Sequence, residues 1–245
     1  MDPDVRAKGP AKCYRCGMAL EARLAPVVEY PVRMKYQKDD LRLQILHPET
    51  RRPVERLQII HEKILHLFVI SQDLEFFAHE HPEPTGAGAF RLKLPLPKPG
   101  LYRLLCDFYP EGGAPQMVPL TLLTGPPGPK PALAPDLAAK RAENLEVELV
   151  TEPPEPLAGK KTLLFFRLKP ADGLETYLGA WGHLLAASDD LVDLIHAHPA
   201  IADGGPQVQF NLIFPREASY RIWVQFQRHG KVNTAAFTLP VSRLK

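Results

Sequence analysis

The sequence predicts an all-β protein: two tandem immunoglobulin-like antiparallel β-sandwich domains behind a short N-terminal metal-knuckle stub. Three observations predict it. A block of seventeen residues occurs twice. Runs of strand character follow one another at roughly ten-residue intervals in both halves. A proline-rich stretch separates the two copies.

The block reads "HLFVISQDLEFFAHEHP" from His66 to Pro82 and "HLLAASDDLVDLIHAHP" from His183 to Pro199. Eight of its seventeen positions match. A shift of 117 residues holds for His66/His183, Ser71/Ser188, Asp73/Asp190, Leu74/Leu191, His79/His196 and His81/His198. Downstream, "FRLKLPLPKPGLYRLLCDF" faces "FNLIFPREASYRIWVQF", where Tyr102/Tyr220 and Phe108/Phe226 keep a shift of 118. Upstream, "LQILHP" resembles "LFFRLKP". The repeating unit is therefore about a hundred residues long. It sets the domains at 25–123 and 144–245, with a stub at 1–24 and a connector at 124–143.

The elements follow in order. The first unit offers "DLRLQIL", "RLQII", "LHLFVIS", "FRLKLPL", "LYRLLCDF" and "MVPLTLL" as strands. The second offers "NLEVELV", "KTLLFFRLK", "GHLLAAS", "VQFNLIF", "SYRIWVQF" and "TAAFTLPV". Several alternate apolar and polar residues as half-buried strands do, Leu41, Leu43 and Ile45 among them. No segment keeps a long 3.6-residue period. Seven or so short strands per hundred residues indicate a sandwich. The connector, "TGPPGPKPALAPDLAAKRAE", is expected to carry a helical turn near "DLAAKRAE" and to be nicked first by proteases.

Composition bounds the function. The chain has 245 residues, 45% apolar and 24% charged, as soluble globular proteins do. Its 27 prolines against 16 glycines suit edges and turns rather than long helices. A net charge of +2 implies no nucleic-acid partner. No apolar run reaches the eighteen or so residues of a membrane span. There is no Gly-x-Ser-x-Gly elbow, phosphate loop or dinucleotide fingerprint, so a non-enzymatic role is expected. Asp73 and Asp190 recur in a turn, where an aspartate caps its own backbone. Cys106, matched by Val224, reads as a small core residue.

The histidines carry the sharper expectation. His79 and His81 share one face of a strand, as do His196 and His198. A turn near Gln72-Asp73 places His66 opposite His79, and the repeat does the same for His183. Three neutral imidazoles gathered in this way suit copper or zinc, with His61 as a possible fourth ligand in the first unit only. Ligation requires neutral rings, so copper is expected to bind at neutral pH and to leave below about 6. The competing reading makes the histidines structural, within a non-catalytic interaction module.

"CYRCGMAL" sets Cys13 and Cys16 two residues apart, with Gly17 behind them. Such a knuckle supplies two thiolates toward a zinc or copper site, where a closed zinc site takes four ligands. The segment "MDPDVRAKGPAKCYRCGMAL" resembles the short bacterial heavy-metal-binding domain, which fronts copper-efflux adaptors and P-type metal ATPases. Cys13, Cys16, Gly17, Met18 and Leu20 match its second half; Asp2 stands where that family has histidine. Its first cysteine would lie upstream of Met1, which implies an earlier start and an export signal. Without metal, such a stub is expected to be poorly ordered.

The repeats resemble a poorly characterised type of bacterial exported protein with the pattern "HEKxLHLFVxSxDLxxFxHxHP". His61, Glu62, Lys63, His66, Ser71, Asp73, Leu74, His79, His81 and Pro82 carry that match. The resemblances together imply copper (or zinc) binding in the cell envelope and possible contact with metal-efflux components. A cytoplasmic location is expected instead if Met1 is the true start.

Overall fold

The computed structural model describes residues 5, 7–14, 19–20 and 28–244. Cys16, Gly17 and Met18 lie outside the described residues, and with them much of the stub on which disorder was expected. Cys13 is described: it is a buried free cysteine. Near it Lys12 bridges Ala19, and the Leu20 amide donates to the Ala11 carbonyl at 2.7 Å.

The chain is all-β and divides into two compact units, Met1–Pro129 and Lys130–Lys245. The first holds β1 (Val32–Gln37), β2 (Asp40–Ile45), β3 (Leu65–Ser71), β4 (Phe77–Glu80), β5 (Glu83–Gly86), β6 (Ala89–Lys93), β7 (Leu101–Phe108) and β8 (Gln116–Leu123). They form two antiparallel sheets of order β1-β2-β6-β5 and β4-β3-β7-β8. The second unit holds β9 (Lys140–Arg141), β10 (Glu146–Glu152), β11 (Lys161–Lys169), β12 (Leu174–Glu175), β13 (His183–Ser188), β14 (Leu194–Ala197), β15 (Gln207–Ile213), β16 (Ala218–Arg228) and β17 (Lys231–Val241). Its sheets run β15-β11-β10-β9 and β12-β16-β13-β14, with β17 on β16. Each unit is a sandwich of immunoglobulin-like type. Corresponding strands hold corresponding places, and the histidine hairpins are β3–β4 and β13–β14.

Alternation builds both cores. Leu41, Leu43 and Ile45 of β2 meet Leu65, Leu67 and Val69 of β3, and Tyr102, Leu104, Cys106 and Phe108 of β7. In the second unit Leu164, Phe166 and Leu168 meet Leu184, Ala186, Ile222, Val224 and Phe226. Cys106 is indeed a core residue; burial pushes its thiol up to about 12, with Asp107 adding to the effect. His66 falls between core Leu65 and Leu67, and His183 directly precedes core Leu184, so both point to the opposite face of the same sheet. That face is also buried along β3 and β13. Burial on both faces explains why "LFVI" reads as a continuous apolar run rather than an alternation.

The repeated tyrosines brace both sandwiches. The Tyr102 hydroxyl donates to the Lys98 carbonyl at 2.6 Å, and that of Tyr220 to the Arg216 carbonyl at 3.2 Å. Two expectations are corrected. "RLQII" forms only isolated bridges, Leu57 to Pro110 and Ile60 to Lys63, because no continuous partner lies beside it. "DLAAKRAE" contains no helical turn. Instead Asp136 exchanges both backbone bonds with Thr238, and β9 extends the sheet beyond β10. An open sheet edge offered that backbone more hydrogen bonds than one helical turn could.

Candidate metal centre

The turn between β3 and β4 sets everything that follows. Ser71 Oγ donates to Asp73 Oδ1 and accepts from the Phe76 amide at 2.9 Å. Asp73 Oδ1 accepts from the Glu75 amide at 3.2 Å. The second unit repeats this: Ser188 Oγ to Asp190 Oδ1 at 2.7 Å, the Asp193 amide to Ser188 Oγ at 2.9 Å, and the Val192 amide to Asp190 Oδ1 at 3.1 Å. Leu74 and Leu191 both hold positive φ, 61° and 57°, and both are buried. A left-handed leucine costs roughly 1–3 kcal/mol, and its burial offsets this. The recurring Ser-x-Asp-Leu is therefore turn chemistry, and the aspartates cap their own backbone.

Lys98 and Arg216 lock the two aspartates from outside. For Asp73, burial raises the carboxyl, but hydrogen bonds from Lys98 and Ser71 outweigh it and hold the group below the usual range. For Asp190, the Arg216 guanidinium is the leading cause that holds the carboxyl well below the usual range.

This turn fixes a register in which Phe68 pairs with His79 and Leu67 with Glu80. Continued by one residue, it places His66 opposite His81, not opposite His79 as the sequence suggested. The turn centres one residue later than assumed, so the pairing moves by two positions. An even displacement leaves all three rings on one face. The second unit keeps the same register, with Leu184 on Ala197 and Leu185 on His196.

The geometry of the first trio is compact. His66 Nδ1 lies 3.1 Å from His79 Nε2 and 3.2 Å from His81 Nε2. The other nitrogen of His66, Nε2, is 3.0 Å from the Ile60 carbonyl. A carbonyl only accepts, so Nε2 carries a proton, and whenever the ring is neutral its lone pair is on Nδ1. That lone pair faces both other imidazoles. The second trio is built alike: His183 Nε2 donates to the Tyr177 carbonyl at 2.9 Å. In each trio the ligand atoms lie within 4.8 Å of one another. Ring-centroid distances agree between the trios, 4.9 and 4.7 Å about His81 against 4.8 and 4.5 Å about His198.

The carbonyl that orients each opening histidine comes from a tight two-residue turn. Ile60 bridges Lys63 across His61 and Glu62, with φ of 48° and 65°. Tyr177 bridges Ala180 across Leu178 and Gly179, with φ of 51° and 71°. Both central residues are left-handed, as type I′ turns require. His61 therefore occupies the turn tip, and its counterpart is Leu178. Its ring is edge-on to His66, 6.5 Å away between centroids. It stands beside the trio and is not one of the three grouped ligands.

Burial is the leading cause that pushes His81 down to about 3, and the nearby Lys63 adds to it, so its imidazole is neutral. Burial also raises Glu80. Phe68 stacks on His79 at 4.2 Å between centroids; Leu185 takes its place in the second unit. Sequence reasoning missed Asp107. It is the register partner of His66 on β7 and is buried to 1% exposure. The second unit has Gln225 opposite His183, its Nε2 donating to Thr234 Oγ1 at 3.1 Å. The signal was present, since a carboxylate inside "LYRLLCDF" breaks an otherwise apolar strand end.

The geometry of Cys13 with Cys16 lies outside the described residues. What the described residues offer is two sets of three convergent imidazole nitrogens.

A family model described as "Domain of unknown function (DUF8832)" matches residues 31–125 and again residues 140–243. The chain belongs to the DUF8832 family. Two matches to one DUF8832 model restate the duplication, and each spans one histidine hairpin. Residues before 31, including the cysteine knuckle, lie outside both DUF8832 segments. No curated protein matches the sequence.

Among solved structures the chain is similar to chicken CNTN1 FN1-FN3 domains, at 9% identity and a TM-score of 0.24, over 92% of this chain and 70% of that one. It is also similar to red sea bream transglutaminase, at 11% identity and 0.28, over 89% and 32%. A third likeness is to the fibronectin(III)-like modules of Clostridium thermocellum CbhA, at 10% and 0.26, over 87% and 95%.

Proposed function

We propose that each unit binds one borderline or soft metal ion, copper foremost and zinc next, through its three histidines. The ligands are His66, His79 and His81 in the first unit and His183, His196 and His198 in the second. The role is non-catalytic: carriage or buffering of the ion in the cell envelope, with metal-efflux components as the natural partners. Cys13 and Cys16 would serve as a separate thiolate contact at the N-terminus.

One observation carries this reading. The opening histidine gives its Nε2 proton to a backbone carbonyl and turns a lone pair on two other imidazoles. Ligating histidines are held in this manner, with the outer N–H fixed by a carbonyl or carboxylate. Two nitrogens bound to one ion at about 2.0–2.1 Å in tetrahedral geometry stand about 3.4 Å apart. The 3.1 and 3.2 Å separations at His66 are close to that. A single lone pair on Nδ1 serves one N–H donor well, yet two imidazole nitrogens face it.

A second reading has its own support. Burial, the His66–His79 approach and the stack of Phe68 on His79 also suit a structural polar cluster in an interaction module. Copper titration separates the two. In the pair variants His79→Ala/His81→Ala and His196→Ala/His198→Ala, metal ligation predicts loss of one ion per chain in each, by roughly a hundredfold or more in affinity. Unchanged binding in both would make the histidines structural.

A further inference from the structure

Core-facing Val32, Met34 and Tyr36 alternate along β1, so Lys35 and Gln37 face outward. Leu41 and Leu43 of β2, and Phe90 of β6, likewise turn Asp40, Arg42, Arg91 and Lys93 outward. The register then places Lys35 opposite Arg42, and Arg42 opposite Arg91. Three cations stand in one row across three adjacent strands. Like charges in direct opposition destabilise a sheet. The fold does not demand this row. The Ile45 amide donates to the Gly88 carbonyl and the Leu168 amide to that of Pro206, which marks the same point in the two sheets. The matching row of the second unit is Val150, Phe165 and Gln209.

Asp40 organises the row. It accepts from Nε of both Arg42 and Arg91, which holds its own carboxyl below the usual range. Both guanidinium groups are thus held by one edge, while their terminal nitrogens remain available to another acceptor. Lys93 closes the site, its Nζ on the Lys38 carbonyl at 2.9 Å. These side chains line a depression of about 530 Å³.

We propose that this depression binds a compact oligophosphate, its oxyanions bridging successive cations of the row. Planar arginine forks suit phosphate oxygens, and three strands about 4.8 Å apart give a row about 10 Å long. The row is bounded. Beyond Arg91 its register partner is Glu83, and on the other side β1 is the sheet edge. A long polyanion would meet the Glu83 carboxylate; a short one would not. The volume also falls in the range of small-ligand sites.

Calorimetric titration of the metal-free full chain with inorganic tripolyphosphate at low salt tests this. Tripolyphosphate should bind more tightly than orthophosphate. Arg42→Gln/Arg91→Gln should weaken it by roughly tenfold to a hundredfold, with no fall in melting temperature. Arg167→Gln, on the equivalent sheet of the second unit, should have no effect. Absence of tripolyphosphate binding, equal binding by the double variant, or an equal loss in Arg167→Gln would each overturn the proposal. So would binding only to vesicles of anionic phospholipid.

Discussion

The two histidine sites share their rings and differ in their neighbours. Both have the opening histidine tied to a backbone carbonyl six residues upstream, and both close on a His-x-His strand. Both hang from the same Ser-x-Asp-Leu turn. Around them, His61 becomes Leu178, Phe68 becomes Leu185 and Asp107 becomes Gln225. The difference teaches what each part does. Features held in common are those that gather and orient three nitrogens. Features that vary set the charge around them, and among the described residues only the first site has a carboxylate as the register partner of its opening histidine.

That contrast predicts unequal affinities. A dication in a poorly solvated site gains from a nearby carboxylate, so the first site should bind a divalent ion about tenfold more tightly than the second. Asp107→Asn should remove most of that advantage and leave the second site unchanged. Competition titrations with a coloured chelator would show it; equal affinities in the wild-type chain would break the comparison.

Acid sharpens the contrast by a smaller step. His81 has a folded-state pKa of about 3, below its ordinary 6.5, so the unfolded chain binds the proton more readily. The stability this group confers is complete above about pH 6.5 and is lost as pH falls toward 3. Urea midpoints of the metal-free chain should therefore drop between pH 7 and pH 4.5, and drop less in His81→Ala. The low value also keeps His81 ready to ligate under mild acid, so release from the first site should begin below the pH 6 expected for ordinary imidazoles.

The turns should show the smallest effect. Asp73→Ala and Asp190→Ala each remove an aspartate that caps its turn and meets a cation. Each should cost about 1–2 kcal/mol by urea unfolding, with the larger loss at Asp190, whose partner Arg216 also donates to the turn's own Ser188 Oγ at 3.2 Å. A larger loss at Asp73 would contradict the ranking.

Much of this was legible in the sequence, for identifiable reasons. The sandwich was, because alternating positions such as Leu41, Leu43 and Ile45 follow directly from the period of a strand. The three-histidine sets were, because duplication preserved their spacing while residues between them changed. The register was not. It depends on where left-handed Leu74 lets the chain turn, and a buried leucine in that conformation is no turn signal. The place of His61 was hidden for a similar reason, since "IIHEKI" carries none of the glycine or asparagine that announces a type I′ turn. Asp107 stayed out of view because its relation to His66 is a long-range pairing across β3 and β7.

The most direct measurement is X-ray absorption on the Cys13→Ser/Cys16→Ser chain loaded with two equivalents of copper. The hairpin geometry predicts three imidazole nitrogens per ion at about 2.0 Å, in a single environment type shared by both units. A first shell dominated by oxygen, or one holding fewer than two imidazoles, would contradict it.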